Sequence, residues 1–165
     1  MTYTFIISDE SVNADGFVIQ TKGIRTERFK KNPVMLYMHA REKGVIGRWD
    51  NIRTEGSQLI ADAVFDENNP LGKEVKERVD GGFLRSASIG LSVLNYERID
   101  GVDTVTDCRA TEVSIVDIPS NRNAVKLFDK RGLIVLSLKE SADGDKDLRT
   151  QLIEVLKLPA TATDG

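Results

Sequence analysis

The stretch LRSASIGLSVLNYERIDGVDTVTDCRATEVSIVDIP, residues 84–119, decides the fold because apolar and polar residues alternate on both sides of one turn signal. Asp100-Gly101 is a dipeptide typical of a tight hairpin turn. The pattern therefore predicts two long antiparallel strands joined at that turn. One face of the first strand is apolar, and the other carries only small residues, namely Ser86, Ser88, Gly90 and Ser92.

Shorter segments on both sides of this pair also have the pattern of strands. They are YTFIIS (3–8), GFVIQ (16–20), VMLYMH (34–39), a pair within 44–66 that turns at Glu55-Gly56, and GLIVLSL (132–138). One helix is predicted over residues 70–80, because Asn69 can cap it, Pro70 suits its first position and Gly81-Gly82 ends it. The predicted fold class is mainly β with flanking helices, with antiparallel strands closed into a barrel that leaves no exposed edges.

The composition changes near Glu140. Residues 141–147, SADGDKD, are polar and contain a glycine, whereas residues 147–159, DLRTQLIEVLKLP, have the spacing of an amphipathic helix. We therefore expect one domain over residues 1–140 and a linker with a helix over residues 141–165. A chain of 165 residues has about the size of one ordinary domain plus such a tail.

Charge and cysteine content argue against several classes of protein. The formal net charge is −3 with both signs spread along the chain, so we expect no nucleic-acid partner. The densest basic segment, residues 25–31, is short and is interrupted by Glu27 and Phe29. Cys108 is the only cysteine, and the chain does not open on a basic segment followed by a long apolar one. We therefore expect a reducing cytoplasm and no membrane association.

The only histidine, His39, stands at the end of the apolar run that begins at Val34. A neutral imidazole can accept the proton of a serine hydroxyl, and Ser88 on the small face of the long strand pair is a candidate nucleophile. Gly90 lies two residues further on. Its missing side chain predicts that another backbone, such as a substrate strand, approaches closely there.

Alternation in the second long strand predicts that one face carries Cys108, Ala110, Glu112 and Ser114. A buried and unpaired carboxylate is costly, so two interpretations of Glu112 stay open. It is solvated at a sheet edge, or it accepts a hydrogen bond from one ring nitrogen of His39 while the other nitrogen faces a serine hydroxyl.

Three segments, in this order and at these separations, resemble the prohead proteases of tailed bacteriophages. FKKNPVMLYMHAREKGVIGRWDNI (29–52) resembles the segment leading to the catalytic histidine, LRSASIGLSV (84–93) the nucleophile strand, and ATEVSIVDIPSNRNA (110–124) an acidic strand with its Pro- and Asn-rich turn. The resemblance runs from about Gly16 to Ala124. These enzymes are capsid-maturation serine proteases similar in fold to herpesvirus assemblin, so the resemblance implies an antiparallel β-barrel of that type.

The resemblance also implies roles for individual residues. His39 is the general base and Ser88 the nucleophile, with no cofactor or metal required. Herpesvirus relatives use a second histidine as the third member, which this chain lacks, so a carboxylate is expected to serve. Glu112 is the first candidate, and the alternatives are Asp62, Asp107 and Asp117.

The turn after the acidic strand is the implied source of backbone donors for the oxyanion. It consists of Ser120, Asn121, Arg122 and Asn123. Pro119 would fix the start of this loop, and asparagines tolerate the unusual dihedral angles that a donor loop often needs. The alternative is that these residues form an ordinary Asn-rich turn.

The function implied is that of a serine endopeptidase that cleaves scaffolding segments of the phage capsid protein, and itself, during procapsid maturation. Its expected partners are the major capsid protein with its scaffolding segment, and possible self-association. Its expected location is the assembling procapsid in the bacterial host cytoplasm. The tail over 141–165 is expected to be the start of a scaffold-like region.

Three other functions are alternatives to this one. One is a catalytically inactive barrel that acts as a capsid-assembly scaffold module. Another is a cysteine peptidase using Cys108 and His39, although a free cysteine on a strand is usually a buried small apolar residue. The weakest is a metal hydrolase, because one histidine and one cysteine give no recognisable set of metal ligands.

Overall fold

The structure, a computed structural model, describes residues 3–127. The predicted strand over 132–138 and the predicted tail over 141–165 lie outside the described residues. The strands and α-helices are β1 (Tyr3–Ser8), β2 (Val18–Ile19), β3 (Ile24–Arg25), α1 (Glu27–Lys31), β4 (Val34–Tyr37), β5 (Gly47–Glu55), β6 (Gln58–Phe65), α2 (Pro70–Asp80), β7 (Ser86–Ile99) and β8 (Val102–Val116). Short 3₁₀ turns cover Thr21–Gly23 and Arg41–Lys43.

The predicted long hairpin is confirmed as β7 and β8, which are antiparallel along their length. Its turn residues, Asp100 and Gly101, have φ values of 50° and 79°. Two successive positive φ values are what a type I′ turn requires, and such turns match the twist of the strands that they join. The second predicted hairpin, β5 with β6 around Glu55-Gly56, is also confirmed.

The prediction that the strands are antiparallel is wrong for one edge of β8. Along that edge β2, β3 and β4 pair with β8 in succession, all three in parallel. These three short strands follow one another along β8 with a 3₁₀ turn and α1 between them, and the connection from β4 to its parallel neighbour β8 runs through β5, β6, α2 and β7. Local alternation does not report direction, so the sequence pattern did not reveal it.

The remaining strands extend this sheet until it nearly closes into a barrel. Its order is β1-β6-β5-β4-β8, with β7 on the other edge of β8. Residues 124–127 lie between the two outer strands. The amide of Ala87 on β7 donates to Ala124 O at 2.9 Å, and the amide of Ile6 on β1 donates to Val125 O at 3.0 Å. The free edges of β1 and β7 are therefore joined through this segment.

The predicted helix is confirmed as α2. Asn69 caps it, since its side-chain oxygen accepts hydrogen bonds from the amides of Leu71 and Gly72 at 3.0 and 3.4 Å. Val75 and Val79 pack into the barrel core. The core is formed mainly by alternate strand residues, and its largest fully buried side chains include Phe5, Met35, Ile46, Trp49, Val113 and Ile115.

A β-bulge corrects the predicted faces of β8. The register between β7 and β8 shifts after Gly90, which pairs with Glu112, because Leu91 then pairs with Ala110 and Thr111 is left over. One extra residue moves every preceding side chain to the opposite face. Ala110 and Cys108 are therefore buried among apolar residues and do not share the face of Glu112. Arg109, predicted to face the other way, becomes exposed near Glu112.

Candidate active site

Three adjacent strands bring the predicted catalytic residues to one place. On β8, Ser114 pairs with Ser88 of β7 on one side and with Leu36 of β4 on the other. Directly paired residues of an antiparallel ladder point to the same face with Cα atoms about 4.5–5.5 Å apart. His39 follows the end of β4, two residues after Tyr37. Ser88 and His39 therefore flank the same residue of β8.

His39, Glu112 and Ser114 form a hydrogen-bonded cluster. His39 Nδ1 contacts Glu112 Oε1. The hydroxyl of Ser114 donates to Glu112 Oε2 at 2.8 Å and accepts from the backbone amide of His39 at 3.1 Å. The His39 side chain is 41% exposed and that of Glu112 is 15% exposed. The carboxylate thus holds one ring nitrogen, and the imidazole stays open to solvent.

The backbone at His39 has an uncommon conformation. Met38 and His39 have φ values of 55° and 57°, in the left-handed region that residues other than glycine seldom occupy. Each such residue costs on the order of 1–3 kcal/mol and persists only where its surroundings hold it. Here the amide of Met38 donates to Ile115 O at 3.0 Å, and the amide of His39 is held by Ser114. The predicted strand over 34–39 therefore ends at Tyr37, and the next two residues turn the imidazole toward Glu112.

Gly90 makes room for a side chain, which differs from the prediction of an approaching backbone. A Cβ built at Gly90 would lie 2.6 Å from Glu112 Oε1 and 2.9 Å from Thr111 Oγ1. Real Cβ atoms do not come this close to oxygen, so the Glu112 carboxylate occupies the space that any larger residue would need. The missing side chain allows Glu112 to lie across β7 and reach His39.

The alternative carboxylates have other partners. Asp62 accepts from Thr4 Oγ1 at 2.8 Å, and Asp107 pairs with Arg25 at 2.6 Å. Asp117 accepts from the backbone amide of the next residue at 2.7 Å. Of the four candidates, Glu112 is the one in contact with the histidine.

Cys108 lies inside the protein and not at the cluster. It is fully buried, and burial together with the neighbouring carboxylate of Asp107 raises the pKa of its thiol to about 11. A thiol with such a pKa is protonated at neutral pH, and the thiolate is the nucleophilic form. The geometry therefore gives no support to a cysteine peptidase. Residues 3–127 contain no group of three or more His, Cys, Asp or Glu side chains that could hold a metal ion.

The loop predicted to supply oxyanion donors is built around a buried carboxylate that the sequence did not single out. Asp9 is 4% exposed and accepts from Asn121 Nδ2 at 3.0 Å and Asn123 Nδ2 at 2.7 Å. Ser11 donates to it from its amide and its hydroxyl. Burial acts to raise the pKa of Asp9, but these hydrogen bonds outweigh burial and hold the pKa below its ordinary value.

Within this loop the asparagines have ordinary backbone conformations. Neither Asn121 nor Asn123 has a positive φ. The amide of Asn123 donates to Asn121 Oδ1 at 3.0 Å, and Ser120 Oγ donates to Asp15 at 3.0 Å. The loop leads directly into residues 124–127, which pair with β7 one residue before Ser88. The predicted oxyanion loop is therefore adjacent in sequence to residues 124–127, which lie beside the candidate nucleophile. This loop consists of Ser120, Asn121, Arg122 and Asn123.

Sequence reasoning missed Ser114 as part of the site. It is fully buried, yet its hydroxyl connects the carboxylate of Glu112 with the backbone of His39. The motif Glu-Val-Ser contained the signal, because residues i and i+2 of a strand share a face. A serine beside a partly buried carboxylate is a natural donor to it.

Ser88 on β7, Glu112 on β8 and His39 just after β4 thus lie on neighbouring elements of a nearly closed β-barrel, and the contact between His39 and Glu112 is the kind that holds the base of a serine-peptidase triad. The chain belongs to the caudovirus prohead serine protease family, whose family model matches residues 10–133. It is therefore a capsid-maturation protease that acts within the assembling procapsid and interacts with phage capsid proteins. No curated protein and no solved structure matches the chain. None of the helices within residues 3–127 has the length and apolar character needed to cross a membrane.

Proposed function

We propose that the protein is a serine endopeptidase in which Ser88, His39 and Glu112 form the catalytic triad. Its substrates are the scaffolding segment of the phage capsid protein and the chain itself, during procapsid maturation. The observation that carries the proposal is the contact between His39 and Glu112, held by Ser114, which pairs with Ser88 on the adjacent strand. Strain at the histidine backbone supports a functional reason for this arrangement.

In this mechanism the neutral imidazole of His39 accepts the hydroxyl proton of Ser88 through Nε2 while Ser88 Oγ attacks the peptide carbonyl. Glu112 accepts the hydrogen bond from Nδ1–H, which fixes the tautomer and stabilises the imidazolium that forms. His39 then returns the proton to the leaving amine. In the deacylation step His39 accepts a proton from the water that attacks the acyl-enzyme, and it returns this proton to Ser88 Oγ. Backbone amides of the loop 120–123 donate to the oxyanion, except that of Asn123, which is already bonded to Asn121 Oδ1.

The proposal extends to the rest of the chain. Residues 1–140 form the catalytic domain, and residues 141–165 are the start of a scaffold-like tail that recruits the enzyme to the assembling shell. Limited proteolysis that first cuts between 141 and 147 would support this division, whereas a tail as resistant as the barrel would contradict it.

The experiment that tests the proposal is reaction with a fluorophosphonate, followed by mass spectrometry of the labelled peptide. The parent chain is expected to be labelled at Ser88, and Ser88→Ala is expected to lose labelling and scaffold cleavage by about 10⁴-fold or more while remaining folded. Ser86→Ala is the matched control. It removes a hydroxyl from the same strand, but Ser86 is buried and pairs with Val116.

Two outcomes would overturn the proposal. Cleavage by Ser88→Ala at the parent rate would exclude Ser88 as the nucleophile, and loss of labelling in Ser86→Ala alone would assign the role to that residue. A folded parent chain that neither reacts with the reagent nor cleaves capsid scaffold would favour the inactive scaffold module.

A further inference from the structure

Three arginines differ from most others in the described part of the chain. Five arginines pair with carboxylates, namely Arg25 with Asp107, Arg48 with Asp50, Arg53 with Glu55, Arg78 with Glu74 and Arg98 with Asp103. In contrast, the side chains of Arg28, Arg41 and Arg109 have no hydrogen-bond or ion-pair partner within residues 3–127. Because most other arginines pair within the protein, these three side chains remain available to bind a ligand.

All three unpaired arginines line one cavity of about 640 Å³. They come from separate parts of the fold, since Arg28 is on α1, Arg41 begins the 3₁₀ turn after His39, and Arg109 is on β8. Arg109 faces this side because of the bulge at Thr111. Three positive charges on one concave surface raise the local potential, which attracts an anionic ligand.

This cavity borders the candidate catalytic cluster. Glu112 forms part of its wall and contacts His39 through the same carboxylate. Its lining also has an apolar component, to which Val34 and Val45 contribute. A ligand that fills the cavity therefore lies against apolar residues and three arginines, with Glu112, which contacts His39, in the wall.

We propose that Arg28, Arg41 and Arg109 form an acidic-residue specificity subsite, which binds an aspartate or glutamate side chain of the peptide close to the scissile bond. The inference rests on the function proposed above and adds the class of substrate sequence. Guanidinium groups bind carboxylates through two parallel hydrogen bonds, which gives orientation as well as affinity. An acidic side chain seated there anchors the extended peptide beside Ser88 and His39.

A peptide fits this cavity better than a nucleic acid does. Proteins that bind single-stranded nucleic acid stack bases on exposed aromatic rings. Phe29 is the aromatic residue lining the cavity, and it is 4% exposed. The carboxylate of Glu112 in the wall would also repel a row of phosphates, whereas a single acidic side chain can keep its distance from it.

The test is cleavage-site profiling with a peptide library made by digesting a bacterial proteome, using mass spectrometry to identify the bonds that the full chain cuts. Aspartate or glutamate is expected at one fixed position near the cut bond, with a preference of about 10-fold to 100-fold over the corresponding amide. The double variant Arg28→Gln/Arg109→Gln is expected to lose this preference and to cleave amide-containing peptides as the parent does. Arg48→Gln/Arg98→Gln removes the same charge from arginines outside the cavity and is expected to keep the preference.

Fluorophosphonate labelling of the same samples separates the two proposals. Labelling at Ser88 with cleavage that shows no acidic preference, or a preference unchanged in Arg28→Gln/Arg109→Gln, would overturn the subsite and leave the proposed function standing. Absence of both labelling and cleavage in folded protein would overturn the function and the subsite with it. Protection of Ser88 from labelling by a single-stranded oligonucleotide, and not by acidic peptides, would assign the cavity to nucleic acid.

Discussion

Asp9 and Glu112 are two carboxylates of the same barrel that accept several hydrogen bonds, yet their partners differ in kind. The donors to Asp9 are the amide and hydroxyl of Ser11 and two asparagine side chains, none of which changes charge near neutral pH. Glu112 shares its oxygens between Ser114 and an exposed histidine that can take up a proton. Donors that cannot titrate make a carboxylate a fixed structural anion, whereas a titratable donor couples it to proton transfer.

The largest expected effect is a loss of catalytic activity at Glu112 that is not matched at Asp9. Glu112→Gln is expected to lower kcat/KM for scaffold cleavage by about 10⁴-fold, because an amide in this position favours the wrong imidazole tautomer and cannot stabilise the imidazolium. Asp9→Asn is the matched control, since it makes the same change of charge away from His39. Its activity per folded molecule is expected to fall far less, by about 10-fold, because Asp9 holds the proposed oxyanion loop through Asn121 and Asn123 and does not contact His39. Equal activity of Glu112→Gln and the parent, with an inactive Asp62→Asn or Asp117→Asn, would show that the third triad member is one of those residues.

For stability, the larger effect is expected at Asp9 and the smaller one at Glu112. Asp9→Asn is expected to lower the free energy of unfolding by about 2–3 kcal/mol, because its new amide group would face the donating amide groups of Asn121 and Asn123. Glu112→Gln is expected to change it by less than about 1 kcal/mol, since its side chain is partly exposed. Urea unfolding followed by circular dichroism measures both.

The dependence of stability on acidic pH tests the structural role of Asp9 separately. The pKa of Asp9 is lower in the folded protein than in the unfolded chain, so its contribution is complete above the ordinary aspartate pKa of about 3.9. The contribution disappears as the pH falls from there through the lower folded-state pKa. Asp9→Asn should therefore lose less stability than the parent over that acidic range. An identical acid dependence of both proteins would contradict the role given to Asp9.

The smallest expected effect concerns the space that Glu112 occupies. Gly90→Ala places a methyl group 2.6 Å from the position of Glu112 Oε1 and must displace the carboxylate. A misplacement of about 1 Å at a catalytic group can cost about 100-fold in rate, so a loss of about 10-fold to 100-fold in turnover is expected. The unfolding free energy should change far less than the activity does. Full activity in Gly90→Ala would show that the carboxylate has room to move without consequence.

The parts of the structure that sequence predicted are those with a local cause. Asp100-Gly101 specifies its own turn type, and Asn69-Pro70 specifies the start of α2. The pairing of β8 with three parallel neighbours depends on contacts between distant residues, which alternation does not encode. The bulge at Thr111 shows the same limit on a smaller scale. Because of this one unpaired residue, Ala110 faces the core and Arg109 faces the cavity, which is the reverse of what alternation predicts.

The candidate site was partly predictable for a related reason. His39, Ser88 and Glu112 were accessible through motif resemblance, and the structure brings His39 and Glu112 into contact. Ser114 was within the same motif but was not recognised as a donor. Asp9 lies more than 100 residues from the asparagines that bind it, so no local pattern could connect them.

Residues 124–127, which join β1 to β7, also determine when the barrel can close during protein synthesis. Thr4 O on β1 accepts a hydrogen bond from the amide of Leu127 at 2.8 Å, so the contact between β1 and residues 124–127 is complete only after residue 127 has been made. At about 5–20 residues per second, the ribosome needs on the order of 10 s to pass from one to the other. Until then β1 and β7 keep their open edges, and the segment beside Ser88 is absent. The nascent chain is thus an incomplete barrel until residue 127 has been synthesised, and the segment beside Ser88 is the last described part of the barrel to be made.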